Sequence, residues 1–138
     1  MDRSRNKVLI VEDEILVAME LEAVVEDLGQ TPIGIAADLE TAMRLAADRP
    51  DVALVDVNLR DGPTGIEIGR RLSRDHGTIV VFMTANPALL GEGVAGAIGV
   101  LPKPCSQRDC ENVIRYAMGR RQSPAVGLPA PPALQLFA

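Results

Sequence analysis

Short apolar runs alternate along the chain with longer stretches in which apolar residues recur at helical spacing. The first run is Val8-Leu9-Ile10-Val11. A β-branched run that is apolar at every position suits a strand buried on both faces, as in a parallel sheet. From Ile15 to Leu28 the apolar residues fall at Ile15, Met19, Val24, Val25 and Leu28, and Gly29 follows. That spacing predicts a helix stopped by glycine. Pro32 to Ala37 predicts a second strand. Asp38 is placed to cap a helix from about Leu39 to Ala47, which Arg49-Pro50 ends. Val52-Ala53-Leu54-Val55 predicts a third strand that runs straight into Asp56. A loop at Asp61-Gly62-Pro63-Thr64-Gly65 leads to a helix from Ile66 to Arg74, then a fourth strand from Thr78 to Met83.

Pro87 to Ala97 reads as a helix, weakened by Gly91, Gly93 and Gly96, each costing up to ~1 kcal/mol relative to alanine. Gly99 to Leu101 predicts a short fifth strand, and Ser106 is placed to cap a last helix running to about Met118. Five strand-helix units in alternation, joined by short right-handed crossovers, predict an α/β fold: a doubly wound, five-stranded parallel sheet with five helices on its two faces. Residues 1–119 read as one domain. Residues 120–138 change character, with four of the chain's 10 prolines and much alanine and glycine, and read as an appended tail. Within it, Leu134, Leu136 and Phe137 could dock on an apolar groove; otherwise the tail is mobile.

Composition narrows the picture. At 138 residues the chain holds one core. Hydrophobic residues make up 47% and aromatics 2%, so that core is aliphatic. A net charge of -5 argues against a domain built to bind DNA. No apolar run reaches the ~18 residues of a membrane span, and the N-terminus is no signal peptide, so the expectation is a cytoplasmic domain with no membrane partner. Cys105 and Cys110 fit a reducing compartment, and with His76 the only histidine no zinc site can be completed.

The chemistry lies just beyond the end of each predicted strand. In open parallel sheets ligands sit beyond the carboxyl ends of the strands. Here the first strand is followed by Glu12-Asp13-Glu14, the third by Asp56-Val57-Asn58, the fourth by Thr84 and the fifth by Lys103-Pro104. Each has a bland reading on its own. Acidic residues after a strand often serve the dipole of the next helix, and that is the expectation for Glu14. An aspartate can be a turn residue, a threonine a cap and a lysine a surface group. Together they form a set suited to metal-assisted phosphoryl transfer. Carboxylates held close repel each other, and a hard divalent cation with oxygen ligands relieves the repulsion. The metal and a lysine then share the charge on the phosphoryl oxygens.

These residues resemble the receiver domains of bacterial two-component response regulators. The resemblance covers about residues 6 to 119 and rests on VLIVEDE, on ALVDVNL followed by Gly62 and Gly65, on VVFMTAN and on LPKP. It implies the flavodoxin-like strand order 2-1-3-4-5. It implies Asp56 as phosphoacceptor, with Thr84 and Lys103 binding the phosphoryl oxygens. Asp13 and Asp56 would ligate magnesium, Asn58 through its backbone carbonyl and Glu12 through a water, and a cis peptide would join Lys103 to Pro104. The implied partners are a histidine kinase or histidine phosphotransfer protein and an unidentified downstream protein, with the chain a monomer or weak homodimer. No catalysis is implied beyond the domain's own magnesium-dependent phosphorylation and autodephosphorylation.

The sequence departs from the family at its signalling positions. Val100 stands where an aromatic switch residue is usual, and Cys105 where an aromatic usually follows the Lys-Pro step. The response is therefore expected in the glycine-rich segment from Asn86 to Gly99. The residues after the last helix are too few for a helix-turn-helix module, so a single-domain regulator or an isolated receiver is expected. Two alternatives stay open. A degenerate receiver would bind a partner without taking phosphate. A haloacid-dehalogenase-like phosphatase would also use a strand-end aspartate with magnesium, but Asn58 stands where its second acid belongs.

Overall fold

In the computed structural model, which describes residues 5–122 and 129–137, strand and helix alternate. The elements are β1 (Lys7–Val11), α1 (Ile15–Asp27), β2 (Thr31–Ala36), α2 (Leu39–Ala46), β3 (Val52–Asp56), α3 (Gly65–His76) and β4 (Ile79–Thr84). A single 3-10 turn (Pro87–Leu90) comes next, then β5 (Ala97–Pro102), α4 (Gln107–Gln122) and β6 (Gln135–Leu136). The sheet order is β2-β1-β3-β4-β5-β6. The first five strands run parallel in the expected order, and β6 pairs antiparallel with β5, Gly99 opposite Leu136 and Val100 opposite Gln135.

Successive strand residues point to opposite faces, so each β-branched run feeds two cores. Val8 and Ile10 of β1 pack with α1 and α4, while Leu9 and Val11 pack with α2 and α3. The central strand β3 is buried at every position. Local signals hold where they rest on single residues. The Asp38 side chain accepts from the Thr41 amide at 2.9 Å and starts α2, and Ser106 Oγ accepts from the Asp109 amide at 3.1 Å and starts α4.

Three features differ from the sequence expectation. The helix expected from Pro87 to Ala97 is only one 3-10 turn. Gly91, Gly93 and Gly96 all take positive φ, at 51°, 116° and 89°, which no α-helix accommodates. Leu90 and Val94 still reach the α2/α3 core.

The second difference is the buried face of α1. The interior takes Ala18, Leu21, Val24 and Val25, and leaves Ile15, Leu16 and Met19 more than half exposed. This helix is apolar almost all round, so spacing alone does not select a face.

The third is the tail. Residues 135–137 lie along the outer edge of β5 and residues 129–132 beside α4; Leu134 is buried in the α1/α4 core and Phe137 packs against the other, while Leu136 stays exposed. Pro124 lies outside the described residues.

Candidate functional site

The rim beyond the strand ends is assembled by topology. β3 lies between β1 and β4, so Glu12, Asp56 and Thr84 emerge side by side, and Lys103 joins them from β5. Glu12, Asp13 and Asp56 offer carboxylate oxygens that all lie within 4.8 Å of one another. Lys103 Nζ donates to Asp56 Oδ2 and to Glu12 Oε1, both at 2.9 Å. The Asn58 amide donates to Asp56 Oδ1 at 3.1 Å, so both oxygens of the buried Asp56 are held. Thr84, also buried, closes the next strand one residue beyond Met83, the β-partner of Asp56. Its hydroxyl accepts from the Asn86 amide at 3.1 Å, and its carbonyl accepts from the Lys103 amide at 2.9 Å. The Lys103-Pro104 peptide is cis.

Burial dominates the electrostatics. Glu12 is 1% exposed, and its carboxyl is raised to about 7. Burial is the largest cause, the Asp56 charge adds to it, and hydrogen bonds from Lys103 and the Glu14 amide oppose it. Burial pulls the Lys103 ammonium down, but its hydrogen bonds to Asp56 and Glu12 outweigh that and hold it above the usual lysine range. One ammonium therefore bridges two carboxylates that would otherwise repel each other in a poorly solvated site.

The donor set fits a hard divalent cation. All three side chains offer oxygen, Asp13 is exposed and open to solvent, and the buried Glu12 resists ionisation for want of more positive charge. Every site residue expected from the sequence reaches this rim. The structure adds two that the sequence did not mark. Glu14, expected only to serve the dipole of α1, approaches Lys103 Nζ at 3.7 Å. Gly65 starts α3 directly under the site, where a Cβ would collide with the Asp56 carbonyl oxygen and the Val57 backbone. The sequence showed a loop glycine at Gly65; its role appears only when α3 packs back against the end of β3.

Beside Lys103 a cavity of about 640 Å³ opens between α1 and α4, with Glu14, Val17, Leu21, Cys105 and Cys110 in its wall. No helix among the described residues is long and apolar enough to cross a membrane.

Comparison with known proteins agrees with this fold. The chain is 37% identical over 121 residues to the phyllosphere-induced regulator PhyR of Methylorubrum extorquens, a match covering 85% of this chain and 45% of that protein. It superposes on the response regulator PhyR of Brucella abortus with a TM-score of 0.77 at 30% identity, covering 88% of this chain and 52% of that one. With the receiver domain of Erythrobacter litoralis PhyR the TM-score is 0.72 at 28% identity, covering 92% and 96%. The chain thus spans about half the length of the curated PhyR relative and nearly all of an isolated receiver. The family model described as the response regulator receiver domain matches residues 8–115, and this chain belongs to that family.

Proposed function

We propose that this domain is a phosphorylation switch in which Asp56 accepts a phosphoryl group from a phosphohistidine donor, a histidine kinase or a histidine phosphotransfer protein, in the cytoplasm. The observation that carries this reading is the Lys103 ammonium 2.9 Å from both Asp56 and Glu12, above three converging carboxylates. Asp56 Oδ attacks phosphorus, the P–N bond to the donor imidazole breaks, and an acyl phosphate forms on Asp56. The Asn58 amide holds the second Asp56 oxygen throughout. As negative charge moves onto the phosphoryl oxygens, Lys103 exchanges its carboxylate contact for one to phosphate, and the Thr84 hydroxyl turns to donate to another oxygen. Asp13, Asp56, Asn58 and Glu12 would hold a magnesium ion, which would supply further neutralisation of that charge. Exposed Ile15, Leu16 and Met19 on α1 lie next to the rim and offer an apolar contact to a protein donor.

The test is incubation of the full chain with magnesium and acetyl phosphate. One phosphate per chain, stable in acid and labile in base, is expected, and none in Asp56→Asn. A chain that stays unmodified is a degenerate receiver. Continuous release of phosphate from varied monoesters would mark a phosphatase.

A further inference from the structure

Cys105 and Cys110 take no part in the rim chemistry, yet the start of α4 brings them together. Ser106 is the cap of that helix, so Cys105 stands one residue before the cap and Cys110 four after it. Side chains at these two positions meet across a helix start, usually as an apolar staple. Here the staple is sulfur on sulfur, with Sγ to Sγ 3.1 Å. A zinc-type ligand set cannot be completed: the chain has no third cysteine, and His76 ends α3 on the opposite face of the sheet. The contact is therefore a dithiol rather than part of a metal site.

The two thiols are unequal. Cys105 is half-buried in the wall of the cavity beside Lys103, while Cys110 is buried behind it. The Cys105 thiol is lowered to about 7, chiefly by the hydrogen bond from Cys110 and further by the Lys103 charge, against burial and the neighbouring Asp109. The same contact, with burial, pushes the Cys110 thiol up. A half-buried thiol on a cavity wall, backed by a buried thiol within contact distance, is the arrangement of an attacking and a resolving cysteine.

We propose that Cys105 and Cys110 form a hydroperoxide-reactive dithiol that closes to a reversible intramolecular disulfide. Cys105 Sγ attacks the terminal oxygen of a hydroperoxide, the O–O bond breaks, and Cys105 becomes a sulfenic acid as hydroxide or alkoxide leaves. Cys110 Sγ then attacks the Cys105 sulfur, the S–O bond breaks, and the departing hydroxide takes the Cys110 proton as water. Two thiols have lost two electrons and the peroxide has gained them. The sulfurs need to approach by only about 1 Å, within the reach of side-chain torsions. The ring so formed ties the loop carrying Lys103 and Pro104 to the first turns of α4.

The test uses the reduced full chain, treated with hydrogen peroxide, quenched with a maleimide and weighed intact. The expected product is a monomer lighter by two hydrogens that takes up no maleimide and recovers both thiols with dithiothreitol. Trypsin cuts after Arg108, so the peptides holding the two cysteines should stay joined until reduction. In Cys110→Ser, peroxide should leave a dimedone-trappable sulfenic acid on Cys105; in Cys105→Ser, Cys110 should resist the same dose. Two maleimide-reactive thiols surviving in the wild type, disulfide-linked dimers, or oxidation of Cys105 to sulfinic acid with Cys110 still free would each overturn the proposal.

Discussion

The rim at the ends of β1, β3 and β5 and the outer edge along β5 and β6 are built on different principles. At the rim the polar groups stand at or just beyond the strand ends, and charges are held at hydrogen-bond distance: Lys103 touches two carboxylates and Asp56 is fixed at both oxygens. At the edge a two-residue strand covers β5, and the preceding connection is a 3-10 turn followed by three glycines at positive φ. Thr84 belongs to both. Its carbonyl holds the Lys103 amide, and its hydroxyl holds the Asn86 amide that opens the glycine-rich connection. The Phe137 ring then rests over Gly93, where a Cβ would come within 2.7 Å of it. The contrast is between a rim fixed by ion pairs and hydrogen bonds and a connection built on glycines, the two joined through Thr84. Val100 is buried on β5 with no ring to swing, but Phe137 from the tail packs on the same apolar cluster.

Four experiments break or sharpen that contrast. The largest effect is expected from Lys103→Ala, which removes the preorganised cation and should slow phosphorylation of Asp56 by about 10²-fold. Amide exchange along residues 86–99 of the unphosphorylated variant should stay near the wild-type pattern. A large change there would show that the two regions are not separate. Magnesium comes next. At about 100 times its dissociation constant it should stabilise the fold by about 2.7 kcal/mol in chemical denaturation, the effect expected of a cation held by the native rim alone. Asp13→Asn should weaken that response, and an unchanged titration would move the metal elsewhere.

Gly65→Ala tests the stiffness of the rim. The added methyl meets the Asp56 carbonyl and the Val57 backbone, neither of which rotates away. A loss of about 2 kcal/mol is expected, together with slower phosphorylation, because α3 must back away from the end of β3. Full stability and rate would mean the rim yields easily.

The smallest effect is expected at the edge. Phe137→Ala removes a half-buried ring and should cost about 1–2 kcal/mol. It should leave phosphorylation intact and speed amide exchange in residues 86–99. In the wild type, beryllofluoride with magnesium should slow exchange in that segment; protection unchanged by the mimic would place the output on another face.

The legible features were those decided within a few residues. Runs such as Val8 to Val11 and Val52 to Val55 become strands because an all-apolar, valine-rich segment suits a strand buried on both faces, and Asp38 and Ser106 cap helices because their side chains reach the amides three residues on. The rim was legible for a topological reason: once the strands are parallel, the residues after each of them must emerge on the same side. By itself, then, the sequence determined the five parallel strands, and its resemblance to the receiver family implied their order and the set Glu12, Asp13, Asp56, Asn58, Thr84 and Lys103, while the antiparallel β6 was not foreseen. The tertiary structure decided which face α1 buries, since its first turns, Ile15 to Met19, are apolar on every side and its spacing alone selects no face. It decided that Glu14 leans toward Lys103, distant from it in sequence, and that Gly65 must lack a side chain where α3 packs back on the end of β3. It also decided the fate of Pro87 to Ala97 and of the tail. Glycines permit many backbones, and the one adopted depends on Leu134 and Phe137 arriving at the two faces of β5 from the far end of the chain.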